Sequence, residues 1–314
     1  MVPKAVSFDV SAALDSAQPL SQSALIFAPE DATRAKGVLV CLPGGTYDKN
    51  YWHLEVAGHP GYSFGEHLAG CGFVVVAVDH LGVGASDDFP GHAGLESMAR
   101  GDAEVVRQIR ASIANCSFVP DLPTDLPVVG VGHSMGACLT TMVQAMASSY
   151  DAVALLGYGI DVSNVDNTTS GVDLESSIQQ NFQVLQSLSG AADGATSWTV
   201  PRTILRELFY SPDVPSAVVD ADDLSLSRIP ARANAEVVSP GFVSPYAAAI
   251  EVPVFLAFGE ARDTSSDPHQ ELMNYRSATD VSLYLVPGSH HCHNMAMTRA
   301  QLWDRISRWI PSVV

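Results

Sequence analysis

Basic residues are scarce in this chain. Of its 314 residues only 16 are Lys or Arg, against 34 Asp or Glu, for a formal net charge of −18. Nucleic acid and anionic membrane surfaces are held by clustered cations, so neither is an expected partner. Cysteine is sparse as well: Cys41, Cys71, Cys116, Cys138 and Cys292 are scattered, odd in number and without a C-x-x-C. That usage argues against a disulfide framework and fits reduced thiols in a cytoplasm. There is no apolar run of about 18 residues, so no transmembrane helix is expected. Residues 1–9 lack the apolar stretch of a secretory leader, and no internal repeat or low-complexity tract is present.

What the chain does have is a series of short apolar runs. Residues 37–42, 73–78, 126–131, 152–157, 252–258 and 281–286 are rich in Val and Leu and mostly continuous rather than alternating. Such runs are strands covered on both faces, the mark of a largely parallel sheet. Helical stripes lie between them: Leu95, Met98, Val105, Val106, Ile109 and Ile113, then Leu139, Met142, Val143 and Met146. A last stripe, Leu302, Trp303, Ile306, Trp309 and Ile310, is expected to stop at Pro311. The expected fold is α/β, with a doubly wound, mostly parallel central sheet whose ligands bind beyond the carboxyl ends of the strands.

The alternation breaks between the fourth and fifth runs, where a connection of this length is unusual. Residues 161–248 are read as a helical cap inserted into a core of residues 1–160 and 249–314. The insertion is expected to hold an amphipathic helix (Leu174, Ile178, Phe182, Leu185, Leu188) and a second helix from near Pro201 through Ile204, Leu205, Leu208 and Phe209.

The chemistry points to Gly132-His133-Ser134-Met135-Gly136, a G-x-S-x-G directly after a strand and before a helix. A turn this sharp strains the central residue, needs glycine on both sides and lifts the Ser134 hydroxyl above the sheet. A serine hydroxyl is a poor nucleophile without a base, and the base needs an orienting acid. After the last run stand His290, His291 and His293; His291 is the expected base, with His293 and His290 as alternatives. A metal site on these three is not expected, because no carboxylate or cysteine array accompanies them at a ligand-like interval. After the fifth run the leading acid is Asp263, with Glu260 its main rival and Asp267 and Asp161 further alternatives. The oxyanion donors are expected to be the backbone N–H groups of Met135 and of Gly45, with Thr46 the alternative in Pro43-Gly44-Gly45-Thr46-Tyr47. His80 and His133 flank the site. Tyr47, Tyr51 and Trp52 read as packing under the cap, Met135 and Met142 as core or pocket wall, Cys292 as filler, and Arg100, Arg107 and Arg110 as a solvated helix face.

Together with Asp79-His80-Leu81-Gly82-Val83-Gly84-Ala85-Ser86, a D-x-x-G-x-G-x-S loop, these motifs resemble the α/β-hydrolase family over roughly residues 36–160 and 250–312. The sequence departs from that pattern twice: Pro43-Gly44 stands where His-Gly is usual, and the acid lies four residues after Gly259 rather than three. The resemblance implies an acyl-enzyme route without cofactor or metal. In it Ser134 attacks a carbonyl, His291 shuttles the proton, Asp263 fixes the imidazole and water releases the acid. Dehalogenase and epoxide hydrolase relatives carry a carboxylate at the elbow, so Ser134 argues against those chemistries. The expected substrate is a small or medium carboxylic ester; a lactone, a thioester or a carbon–carbon bond would suit the same three residues, and a non-turnover ligand receptor is the reading from another class.

Overall fold

The computed structural model describes residues 2–161 and 172–314. Ten strands occur among them: β1 (Lys4–Asp9), β2 (Ser21–Phe27), β3 (Val38–Leu42), β4 (Val74–Val78), β5 (Val128–His133), β6 (Ala152–Leu156), β7 (Ser197–Trp198), β8 (Ile229–Pro230), β9 (Val254–Gly259) and β10 (Val281–Val286). Eight form one sheet in the order β1-β2-β4-β3-β5-β6-β9-β10. β3, β4, β5, β6, β9 and β10 run parallel to one another, whereas β2 is antiparallel to both of its neighbours, β1 and β4.

The six apolar runs all become strands of this sheet, and β3, β4, β5, β6 and β9 are buried along their whole length. Alternate residues feed two cores. Val38, Val40 and Leu42 face α2 (Leu95–Ala114) and α3 (Met135–Ala147) on one side. Leu39 and Cys41 face α1 (Phe64–Gly70) and α10 (Arg299–Val313) on the other. α10 runs past Pro311, contrary to expectation. In a final turn the proline removes only one N–H, where little helix remains to be disrupted.

The strands β1 and β2 carry no continuous apolar run. β1 is mostly exposed. β2 does alternate, but the first residue on its buried face is Gln22, whose Nε2 donates to Asp79 O at 3.0 Å and Asp102 Oδ1 at 2.8 Å. A polar residue on the core side masks the period-2 pattern.

Between β6 and β9 lie α4 (Leu174–Ser189), α5 (Arg206–Phe209), α6 (Ser216–Leu224), α7 (Ala231–Val237) and α8 (Ser244–Ala248), with the short β7–β8 ladder. α4 forms where the stripe predicts it. Asp173 caps it through Ser176 N, and Gly190 ends it in the left-handed region. The second expected helix is shorter: a 3-10 turn at Arg202–Ile204, then the single turn of α5. The remaining helix, α9 (Pro268–Glu271), follows β9. No helix among the described residues is long and apolar enough to cross a membrane.

Candidate active site

The bend between β5 and α3 holds Ser134 at φ 54°, ψ −121°, a conformation that costs free energy for any residue with a Cβ. Its neighbours must be bare. A Cβ on Gly132 would sit 2.2 Å from Gly136 O, and one on Gly136 would sit 2.0 Å from Leu42 O. The strain is held by the sheet on one side, where Ser134 N donates to Leu156 O at 2.8 Å, and by α3 on the other. The hydroxyl therefore stands at the carboxyl end of the central strand.

His291, from the loop after β10, brings Nε2 to 3.0 Å from Ser134 Oγ. Its Nδ1 lies 2.7 Å from Asp263 Oδ1. The partners set the tautomer: Nδ1–H donates to the carboxylate, and Nε2 accepts from the hydroxyl. Asp263 also accepts from Gly259 N at 2.7 Å and Thr264 N at 2.8 Å, and its Oδ2 accepts from His293 Nε2 at 2.8 Å. Burial alone would raise this carboxyl, but its pairing and hydrogen bonds with His291 and His293 outweigh it and hold Asp263 well below the usual carboxylate range.

The alternative residues point elsewhere. Glu260 is exposed and accepts from Gly288 N at 3.0 Å. Asp267 is exposed and caps α9 through His269 N. Asp161 is exposed just after β6. His290 turns outward and donates to Glu207 O at 2.9 Å.

His133 stacks on Tyr51, with ring centroids 4.5 Å apart, and donates Nε2–H to His291 O at 2.8 Å. Burial, then the neighbouring His291 and His293, push its pKa well down, so it stays neutral. His80 serves as a loop cap, one of the two roles that its place beside the site allowed. Its Nε2 donates to Pro43 O at 2.9 Å and its Nδ1 to Asp102 Oδ2 at 3.0 Å. It thus anchors the loop that lacks the usual His-Gly.

That loop turns at Gly44–Tyr47, closed by Tyr47 N to Gly44 O at 3.2 Å. Thr46 adopts φ 70°, strained for a β-branched residue. Two donors hold its carbonyl: Ser227 N at 2.8 Å and Arg202 Nη2 at 3.0 Å. Neither Gly45 N nor Met135 N donates to another group among the described residues, and both residues line the same cavity as Ser134 and His291.

A buried polar cluster behind this loop had no sequence signal. Arg202 Nη1 pairs with Asp222 Oδ2 at 2.5 Å and its guanidinium lies 3.8 Å from the Tyr47 ring centre. Tyr47 OH donates to Asp222 Oδ2 at 2.7 Å, Tyr210 OH donates to the same oxygen, and Cys292 Sγ lies 3.1 Å from Tyr47 OH. Burial, reinforced by Asp222, pushes the Cys292 thiol well up, so it is an inert filler. The segment between β6 and β9 also grips the histidine loop by backbone, through His291 N to Leu208 O and Cys292 N to Phe209 O, both 3.0 Å.

The cavity above Ser134 has a volume of about 240 Å³. Val184, Leu185, Leu188, Ile204, Leu208 and Val237 supply much of its wall. The apolar stripe of α4 is thus divided: Ile178 is buried, Leu185 packs against the core while also lining the cavity, and Leu188 lines the cavity half-exposed. Among the described residues no carboxylate, Lys or Arg lines it. Chemically, the arrangement offers a nucleophile with a base, backbone donors beside them and an uncharged apolar chamber.

Residues 39–302 match the profile of the Alpha/beta hydrolase family. No protein of curated function matches the sequence. Among solved structures, the chain is similar to a thermophilic esterase from Thermogutta terrifontis, at 15% identity and TM-score 0.69 over 99% of each chain. It is also similar to a soluble variant of monoglyceride lipase from Saccharomyces cerevisiae, at 13% identity and TM-score 0.68 over 100% of this chain and 96% of that one. A third is a highly thermostable carboxyl esterase from Bacillus coagulans, at 17% identity and TM-score 0.64 over 100% of this chain and 99% of that one. At these identities the likeness is one of fold. With the family profile spanning most of its length, this chain belongs to the alpha/beta hydrolase family.

Proposed function

We propose that the protein is a serine hydrolase that cleaves a small to medium, uncharged carboxylic ester through an acyl-enzyme. The observation that carries this reading is the line Ser134 Oγ to His291 Nε2 at 3.0 Å and His291 Nδ1 to Asp263 Oδ1 at 2.7 Å, at the mouth of an apolar cavity.

The ester carbonyl enters beside Ser134. As Oγ attacks, its proton passes to His291 Nε2, and the imidazolium that forms is stabilised by Asp263, which stays ionised. The negative charge that develops on the carbonyl oxygen is met by the N–H groups of Gly45 and Met135, each worth about 3–4 kcal/mol to the barrier. His291 then protonates the leaving alcohol. A water molecule enters, His291 takes its proton, and the acyl–Ser134 bond breaks to release the acid. The reading is supported by the short approach of His291 Nε2 to Ser134 Oγ and by backbone donors already fixed beside it, which leave little to reorganise.

Residues 161–248 act in this reading as a cap. Its part is to shape the acyl or alcohol pocket and to exclude water while the acyl-enzyme forms. The uncharged walls support a neutral substrate, and the net charge of −18 further disfavours anionic ones. The partner is therefore a small molecule together with water.

The test is turnover of p-nitrophenyl esters of graded acyl length, with lactones and thioesters alongside. The expected result is hydrolysis of the esters, and a fall of about 10⁴–10⁶-fold in kcat for Ser134→Ala with KM largely kept. Unchanged kcat in that variant would remove Ser134 from the mechanism. Turnover of lactones or thioesters alone would move the substrate class.

A further inference from the structure

The acid of this site carries two imidazoles. His291 and His293 are separated only by Cys292, whose backbone at φ −81°, ψ 76° makes an inverse γ-turn. The turn is closed by His293 N donating to His291 O at 3.0 Å. It points both side chains at the same carboxylate, His291 at Oδ1 from 2.7 Å and His293 at Oδ2 from 2.8 Å. The turn is pinned at its apex, because Cys292 is buried with Sγ 3.1 Å from Tyr47 OH.

His293 is fully buried, and its Nδ1 has no hydrogen-bond partner among the described residues. Nε2 faces the carboxylate, so it carries a proton and donates it to Asp263. His133 lies against it with ring centroids 5.5 Å apart and is neutral. Tyr51 stacks on His133, and Tyr47 and the Arg202–Asp222 pair lie beyond Cys292. Among the described residues Asp263 is the one anion in contact with His293.

We propose that His293 is a positioning residue: it holds the outer oxygen of Asp263 so that Oδ1 alone faces His291, and it takes up part of the carboxylate's charge. This rests on the hydrolytic reading of Ser134, His291 and Asp263. It deepens that reading, because the strength of Asp263 as a partner sets how basic His291 is. A carboxylate shared between two donors stabilises the His291 imidazolium less than an unshared one, so His293 tempers the pull of Asp263 on that ring.

The test compares His293→Gln, whose amide nitrogen reaches the position of Nε2, with His293→Asn, whose amide is too short. His293→Leu repeats the loss with an apolar side chain, which keeps the test open should the Asn variant fail to fold. The probe is the best p-nitrophenyl ester found for the native enzyme, with kcat, KM and the pH profile of kcat/KM measured for each folded variant. The Asn and Leu variants are expected to lose about ten- to a hundredfold in kcat with KM changed by less than about threefold. The acid limb of kcat/KM should rise by about half to one pH unit, because the full charge of Asp263 then acts on His291. The Gln variant should lie close to the native enzyme in both. The inference is overturned if the Asn and Leu variants keep both kcat and the acid limb, or if Gln falls as far as Asn with the limb unmoved. Ser134→Ala, assayed in parallel, separates the two readings. Residual full activity there sinks the hydrolytic mechanism itself, whereas a dead Ser134→Ala beside unaltered His293 variants sinks only the role of His293.

Discussion

His80 donates from Nε2 to the carbonyl oxygen of Pro43 at 2.9 Å, so the loop after β4 anchors the loop after β3. Because Nδ1 also faces an acceptor, Asp102 Oδ2 at 3.0 Å, both ring nitrogens carry protons. Burial opposes that charge, but Asp102 and the Pro43 carbonyl outweigh it and raise the His80 pKa. The folded pKa lies above the unfolded value of 6.5, so the stabilisation is complete below 6.5 and fades as pH rises through the folded value. Thermal melts of the native protein and His80→Ala should therefore differ most in mild acid and converge towards alkaline pH. A gap that widens with pH would contradict a charged His80. The same variant should lower kcat, since Gly45 sits two residues beyond Pro43.

Asp263 carries the opposite sign. Its folded pKa lies below the ordinary 3.8, so its contribution is present above 3.8 and is lost as pH falls below it. Asp263→Asn should melt earlier than the native protein at neutral pH, and the two should approach each other as the solution is acidified past 3.8. In activity the amide should cost about 10⁴-fold in kcat, by favouring the wrong His291 tautomer. Parallel melting curves across acid pH would show that Asp263 is not held as an anion.

The Arg202–Asp222 pair is almost wholly buried, with side chains 2% and 0% exposed. Removing one partner strands the other, so Arg202→Met should destabilise the protein by about 3–5 kcal/mol in urea unfolding. It should also slow turnover, because the strained Thr46 carbonyl loses one of its two donors. Adding Asp222→Asn to Arg202→Met should recover part of the stability. A double variant no better than the single one would mean that the charge of Asp222 is not the penalty.

The cavity wall makes a prediction about chain length. Leu185→Trp should fill part of the roughly 240 Å³ chamber. The longest acyl ester accepted by the native enzyme should then lose more than about tenfold in kcat/KM, as each misfitted methylene is worth about 1–3 kcal/mol. An acetyl ester should be almost unaffected. Equal loss for both chain lengths would place the acyl group elsewhere.

Much of this site was legible because its causes are local. The bend at Ser134 needs bare residues at 132 and 136 for steric reasons that the sequence displays directly. Asp263 and His291 follow strand ends that announce themselves as apolar runs. The parts that were not legible depend on distant partners. Nothing near His80 says that it will meet Pro43, thirty-seven residues away. Arg202 and Asp222 look like ordinary surface charges until the chain between β6 and β9 folds over Tyr47. The strand β2 hides because Gln22 faces inward to satisfy Asp102. The apolar stripe of α4 announces an amphipathic helix, but that Leu185 and Leu188 line a cavity is a distinction that no periodicity carries.

The central claim is that the Ser134 hydroxyl is activated by His291. Reaction of the native protein with a fluorophosphonate, followed by mass spectrometry of the digest, tests it most directly. The account predicts one covalent adduct per chain, on the peptide bearing Ser134, and a strong loss of labelling rate in His291→Ala. Labelling at another residue, no labelling, or an unchanged rate in His291→Ala would contradict it.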